Sequence, residues 1–293
     1  MRTITVCHYK GGTGKTTFCV TMSQALATAG YRVLAVDMDA HQNHLSAALG
    51  GAEREQPSLR ASRGCASGIL EQIIRKNAAP NLDVVALSTE WCDRRTTDPF
   101  HLKKRFRFFN LESVYDFVVI DTPPGMGHVQ EISLRAADQV CIPTDLSALS
   151  LLSLHKVMAA ANLGSNCKIV PIAPRETNQC RESLVALRKR YPGSVASFSI
   201  PCDEGFPLCV LPGAAPFYSL VSQKVALQCG RLAGNLFLVD QKKMENAIDK
   251  VYSMRKVDPL DSVVFPVEDA PCPNQAAFES PYPLQALQSV PAA

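Results

Sequence analysis

Eight consecutive residues limit what this chain can become. Residues 10–17 read Lys-Gly-Gly-Thr-Gly-Lys-Thr-Thr, after the apolar run Thr3–His8 and before a helical pattern over Thr16–Ala29. Gly11, Gly12 and Gly14 permit backbone dihedrals closed to other residues, so successive N–H groups, Thr13 included, can turn toward one anion. A helix that starts there aims its positive end at the same point. Lys15 then reaches the terminal phosphates, the Thr16 hydroxyl ligates Mg²⁺ and Thr17 adds a phosphate hydrogen bond. The usual loop, G-x-x-x-x-G-K-[ST], has a glycine five places before Gly14. This chain has Tyr9 there, followed by a second lysine, Lys10.

Three aspartates complete the pattern. In VLAVDMD, strand alternation puts Asp37 and Asp39 on one side. In YDFVVID, Asp121 follows four apolar residues to a strand end, as a Walker B aspartate does. Open α/β sheets bind ligands at the carboxyl ends of their strands, and Mg²⁺ needs few protein ligands. Thr16 with water-mediated Asp37 and Asp121 is the expected metal set, which leaves Asp39 to orient an attacking water.

Short apolar runs alternate with helical patterns along the body. Strands are expected near 31–39, 81–88, 115–124, 139–145, 167–174 and 195–201. Helices are expected at 67–77, 102–114, 132–138, 149–163, 179–191 and 217–237. Continuous apolar strands separated by helices imply a doubly wound, mainly parallel sheet of the P-loop NTPase type, with helices on both faces. A chain of 293 residues can bury such a core. No apolar run is long enough to span a membrane, and the early strand is not the pattern of a secretory leader. The eleven cysteines show no C-x-x-C pair and read as reduced core residues of a cytosolic protein.

Three segments are expected. Residues 1–240 form the ATPase domain, 241–256 a last helix and 257–293 a disordered tail. That tail has seven prolines, five acids and no Lys or Arg, so the net +3 charge leaves the rest of the chain at +8. Such a basic body suits an anionic partner.

KGGTGKTT, then DMD, then IDTPPG resembles the deviant Walker A ATPases of the ParA/MinD family over roughly residues 2–235. YDFVVIDTPPG…AADQVCIPTD and RETNQCRES resemble its ParA branch. The resemblance implies ATP and Mg²⁺ as cofactors and slow hydrolysis stimulated by a partner. It also implies an ATP-dependent homodimer. Lys10 matches the signature lysine, which reaches the nucleotide of the other subunit; the alternative is a second contact to the nucleotide of its own chain. The chain departs from D-x-D-P-Q-x-N with Ala40 and His41, and His41 and His44 read as polar loop residues rather than a metal pair. In the family's I-P-x-N adenine segment, Pro201 is kept and Asp203 replaces asparagine; a carboxylate accepts hydrogen bonds but donates none.

The resemblance further implies nonspecific DNA binding, a ParB-like centromere-bound activator, and a cytoplasmic, nucleoid-associated role in plasmid or chromosome segregation. The chain would be the short type, without an N-terminal operator-binding domain. Candidate DNA contacts are Arg188, Lys189, Arg190, Lys224 and Arg231, with Lys103, Lys104, Arg105 and Arg107 as a second cluster. Phe106, Phe108 and Phe109 beside that cluster read as core. The alternative is a MinD-like positioning ATPase on a membrane, with Met244, Ile248, Val251 and Met254 as the apolar face; packing of that helix on the body, and the acidic tail, oppose it. A cluster carrier of the same family would need a paired-cysteine motif that the sequence lacks.

Overall fold

A computed structural model of the chain describes residues 1–40, 42–50, 74–86, 98–161, 166–172, 178–212 and 214–254. The strands are β1 (Arg2–Val6), β2 (Val33–Asp37), β3 (Arg75–Ala79), β4 (Leu82–Ala86), β5 (Phe117–Asp121), β6 (Gln139–Thr144) and β7 (Asn166–Pro171). They form one sheet in the order β3-β4-β2-β5-β1-β6-β7, parallel except for the β3–β4 pair.

Residue alternation explains why both faces are covered. In β2 and β5, Val33, Ala35, Phe117 and Val119 enter one apolar cluster, while Leu34, Val36, Val118 and Ile120 enter another. The first face is closed by α1 (Lys15–Thr28), α10 (Gln223–Phe237) and α11 (Gln241–Met254). The opposite face packs against α3 (His101–Phe108) and α5 (His128–Ala136), then α6 (Ala148–Ala161) and α7 (Asn178–Arg190) beside β6 and β7. Short helices α2 (His44–Ala48), α4 (Leu111–Val114), α8 (Gly205–Leu208) and α9 (Phe217–Leu220) lie in the connections. Phe18, Phe217 and Phe237 are fully buried, each contributing roughly 1.5–3 kcal/mol by leaving water.

Four expected elements are corrected. The end of the 67–77 helix is strand instead: Arg75–Ala79 pairs antiparallel with β4. Pro80 and Asn81 make the two-residue turn, Asn81 at φ 63°, so a hairpin outcompetes the helical pattern. Residues 67–73 lie outside the described residues, as does the expected tail 257–293. The 102–114 stretch is two helices, parted at Asn110 with φ 50°. The 217–237 stretch breaks before Ser222, whose hydroxyl accepts from Val225 N and restarts the helix as α10. Residues 195–201 form isolated bridges, Ile169–Val195 and Ile172–Ile200, rather than a strand.

Candidate functional site

Register builds the site before any side chain is considered. Parallel pairing sets Asp37 beside Asp121 and Asp121 beside Val6, so β2, β5 and β1 end at one level. The glycine loop leaves β1 at that level. Thr122 Oγ1 donates to Val6 O at 2.9 Å, and Gly125 N donates to Tyr9 O at 2.9 Å. The turn after β5 therefore clasps the loop after β1. Thr122 was missed by sequence reasoning, although it belongs to the quoted IDTPP run.

Gly12 and Gly14 have φ of 72° and 83°, the left-handed values the sequence anticipates. At Gly14 a Cβ would also lie 3.2 Å from Ile172 Cγ2, so conformation and space both select glycine. Gly14 caps α1, and no acidic side chain occupies the first turn of that helix. Its amino end stays open to an anion.

At the strand ends, Thr16 Oγ1 donates to Asp121 Oδ2 at 2.7 Å. Asp121 Oδ1 is buried and has no hydrogen-bond partner. Burial, with a smaller contribution from Asp37, pushes the Asp121 carboxyl up to about 7 against the opposing Thr16 bond. Burial also raises Asp37, although its carboxylate accepts from Asp39 N at 3.0 Å and Ser46 N at 2.9 Å. Asp37 thus ties the turn after β2 to α2, a structural duty the sequence did not reveal. Asp39 is nearly buried; its Oδ1 accepts from Gln42 N at 3.3 Å. Lys15 is 8% exposed, and burial lowers its pKa while Asp121 pulls the other way.

The two loop lysines face different surroundings. Lys15 lies in the floor beside the carboxylates. Lys10 Nζ lies on the rim, 3.1 Å from Asp145 Oδ2, 3.2 Å from Ser147 Oγ and 3.4 Å from Ser150 Oγ. His8 Nδ1 accepts from Lys10 N at 3.0 Å; burial and the nearby Lys15 lower its pKa to about 4.

A glycine cradle, an open helix terminus, a buried lysine and an orphaned carboxylate oxygen fit a magnesium-bound polyphosphate. The family model described as AAA domain, AAA_31, matches residues 1–166. The virulence plasmid ParA family protein pGP5-D of Chlamydia psittaci is 30% identical over 178 residues, covering 59% of this chain and 68% of that protein. The chain belongs to the ParA-type ATPases. The sporulation initiation inhibitor protein Soj of Bacillus subtilis is 30% identical over 170 residues, with 55% of this chain and 64% of Soj covered. The chain thus spans less than two thirds of Soj. An ATP complex of a Cyanothece McdA variant superposes with TM-score 0.67 at 19% identity, over 82% of this chain and 97% of that one, and shares its fold.

Outside the phosphate loop, the ParA-type chain assembles fewer of the expected contacts. Ile200 bridges to Ile172, which packs on Gly14, so Pro201 and Asp203 follow directly from the loop's flank. The Asp203 carboxylate accepts from Gly205 N at 2.8 Å. Gly205 is obligatory, because a Cβ there would overlap the Leu220 carbonyl. The basic candidates do not converge on one face. Arg188, Lys189 and Arg190 are exposed in the last turn of α7, whereas Arg231 on α10 pairs with Glu245 at 2.9 Å. On α3, Lys104 pairs with Asp98 at 2.8 Å, and Lys103 Nζ lies 3.8 Å from Asp138. Phe106 is buried as expected, but Phe108 is 64% exposed and meets Phe109 edge-on, a correction to its reading as core. On α11, Met244 and Ile248 are buried against α10, where a Cβ on Gly230 would sit 2.6 Å from Ile248 Cδ1. Among the described residues no helix is long and apolar enough to cross a membrane.

Proposed function

We propose that this ParA-type protein is an ATP-driven partition or positioning switch. Two copies close face to face over two Mg·ATP, bind DNA nonspecifically in that state, and separate when a ParB-like activator stimulates slow hydrolysis. Its place in the cell is then the cytoplasm, on the nucleoid. The observation that carries this reading is the separation of the two lysines. Lys15 is buried beside Asp121 and Asp39, whereas the Lys10 side chain is 28% exposed and pairs with Asp145, which supports different roles for the two.

Bound Mg²⁺ would supply charge neutralisation for the terminal phosphates. The chain supplies the rest. Backbone N–H groups of residues 11–14 orient the phosphates, and Thr17 adds a hydrogen bond. Lys15 offsets their charge from below. The Thr16 hydroxyl would hold the metal, with Asp37 and Asp121, whose Oδ1 has no partner, acting through water. Asp39 would orient the attacking water. Lys10 would contribute a cation to the partner's pocket, as arginine fingers do elsewhere. Pro201 and Asp203 would flank the base, Asp203 accepting from an exocyclic amine. The similarity to pGP5-D and Soj supports partition over a membrane role, as does the burial of Met244 and Ile248 on α11.

Light scattering with Mg·ATP tests the dimer, and a gel-retention assay tests DNA. Asp39→Ala should bind ATP, accumulate dimers and retain DNA only at low salt. Normal turnover in Asp39→Ala would remove it from the chemistry, and ATP-independent DNA retention would remove the switch. Liposome binding in place of DNA retention would favour the MinD-like reading.

A further inference from the structure

One buried side chain in the first turn of α5 spends its whole amide on the turn that follows β5. Gln130 is 4% exposed. Its Nε2 donates to Pro123 O at 2.9 Å and to Pro124 O at 3.2 Å, and its Oε1 accepts from Gly127 N at 2.8 Å. Two carbonyls at one end and an N–H at the other leave a single orientation for the amide. Pro123 and Pro124 have no N–H, so neither position can donate a bond to hold the turn. Gly125 turns the chain at φ 100°, a flexible point that needs ties from outside.

The helix that carries Gln130 is a fixed base. Ile132 and Ala136 are buried in the core under β2 and β5, and Thr5 Oγ1 of β1 donates to Ser133 O at 2.8 Å. The other side of the turn meets the glycine loop. Gly125 N donates to Tyr9 O at 2.9 Å, and a Cβ on Gly11 would lie 3.9 Å from Pro124 Cβ, so the proline rests against the loop.

We propose that Gln130 is a positioning residue for hydrolysis. It braces residues 122–127 from α5, and so holds Pro124 and Gly125 against the glycine loop and keeps the Asp121 carboxylate opposite Thr16. This rests on the reading that the site hydrolyses ATP. Among the described residues its hydrogen bonds go to the turn, not to the loop or the carboxylates, so it acts through the turn. Gly12, Gly14 and Lys15 are carried by β1 and α1, and phosphate affinity depends little on the brace. Alignment of Asp121 with the loop, and with it the chemical step, depends on it.

Two full-length variants test this. Gln130→Met keeps the length of the side chain and loses its three bonds. In the nucleotide-free protein, amide hydrogen exchange read by mass spectrometry should rise several-fold over residues 122–127 and also over 9–14. Unchanged exchange, or faster exchange confined to the turn and α5, would overturn the brace. With Mg·ATP, kcat per nucleotide-binding site, the sites counted by calorimetry, should fall about tenfold while KM stays within about threefold. Fewer sites with an unchanged kcat per site would mean that Gln130 only supports folding. Gln130→Glu adds a pH readout. A neutral carboxyl donates to one proline carbonyl and accepts from Gly127 N, whereas the ionised group donates to neither carbonyl. Burial raises a carboxyl above its ordinary value of about 4.3, so kcat relative to wild type should fall at least about threefold from about pH 5.5 to 8. A flat ratio would count against the brace. If the wild type turns over no ATP, the kinetic arms fall with the ATPase reading, and exchange over 9–14 alone decides whether Gln130 braces the loop.

Discussion

The floor and the rim of one loop, five residues apart, are built on opposite physical terms. At the floor, Lys15 is desolvated beside Asp121 and Asp39, and its position is set by β1, β2 and β5 ending in register. Desolvating a charge is costly, and the native packing meets that cost before any ligand arrives. At the rim, Lys10 is partly exposed and held by one carboxylate and two hydroxyls from a different element. A pair of that kind is worth at most about 1 kcal/mol. A preorganised floor suits binding, and a weakly held rim suits switching.

The largest expected effect breaks the floor. Lys15→Ala removes the buried cation and should weaken Mg·ATP binding by about a hundredfold in calorimetry, consistent with losing one to two charge-assisted bonds. Loss of less than about threefold would mean the floor is not where phosphate sits. Next comes the rim. Lys10→Ala should keep nucleotide affinity within about threefold, as befits an exposed pair, yet abolish ATP-dependent dimers in light scattering. Unchanged dimers would refute a role across the interface.

A third measurement sharpens the contrast through protons. The Asp121 carboxyl sits near 7 against an ordinary 3.8, so between those values the folded state holds more protons than the unfolded one. Its contribution to stability therefore falls as pH rises through that window. His8, near 4 against 6.5, acts oppositely: stability is lost as pH falls from 6.5 through 4. In the nucleotide-free protein the two should nearly cancel between pH 4.5 and 6.5. Urea midpoints should then decline toward pH 7.5. Asp121→Asn should remove the decline and leave stability rising to a plateau near pH 6.5. A variant curve parallel to wild type would mean Asp121 is ionised throughout. The smallest effect lies away from both regions. Gly230→Ala meets only the flexible tip of Ile248 and gains helix propensity, so its cost should stay within about 1 kcal/mol, with dimers and nucleotide binding unchanged.

The order of elements, the glycine loop and the carboxylates at the ends of β2 and β5 were readable along the chain. Each depends on local rules: alternation along a strand, glycine for positive φ at Gly12 and Gly14, an acid that ends an apolar run. Local rules erred where two conformations compete at short range, as at Arg75–Ala79, where the Pro80–Asn81 turn decided for strand. They also missed the capped restart of the helix at Ser222. Partners distant in sequence were decided only by the tertiary structure. Asp145 lies 135 residues from Lys10, Thr122 is 116 from Val6, and Ile172, just past the end of β7, packs on Gly14. Sequence spacing specifies which groups a strand end carries, but strand order and register determine which of them meet. That is why the lysine at the floor could be named in advance and the partner of the lysine at the rim could not.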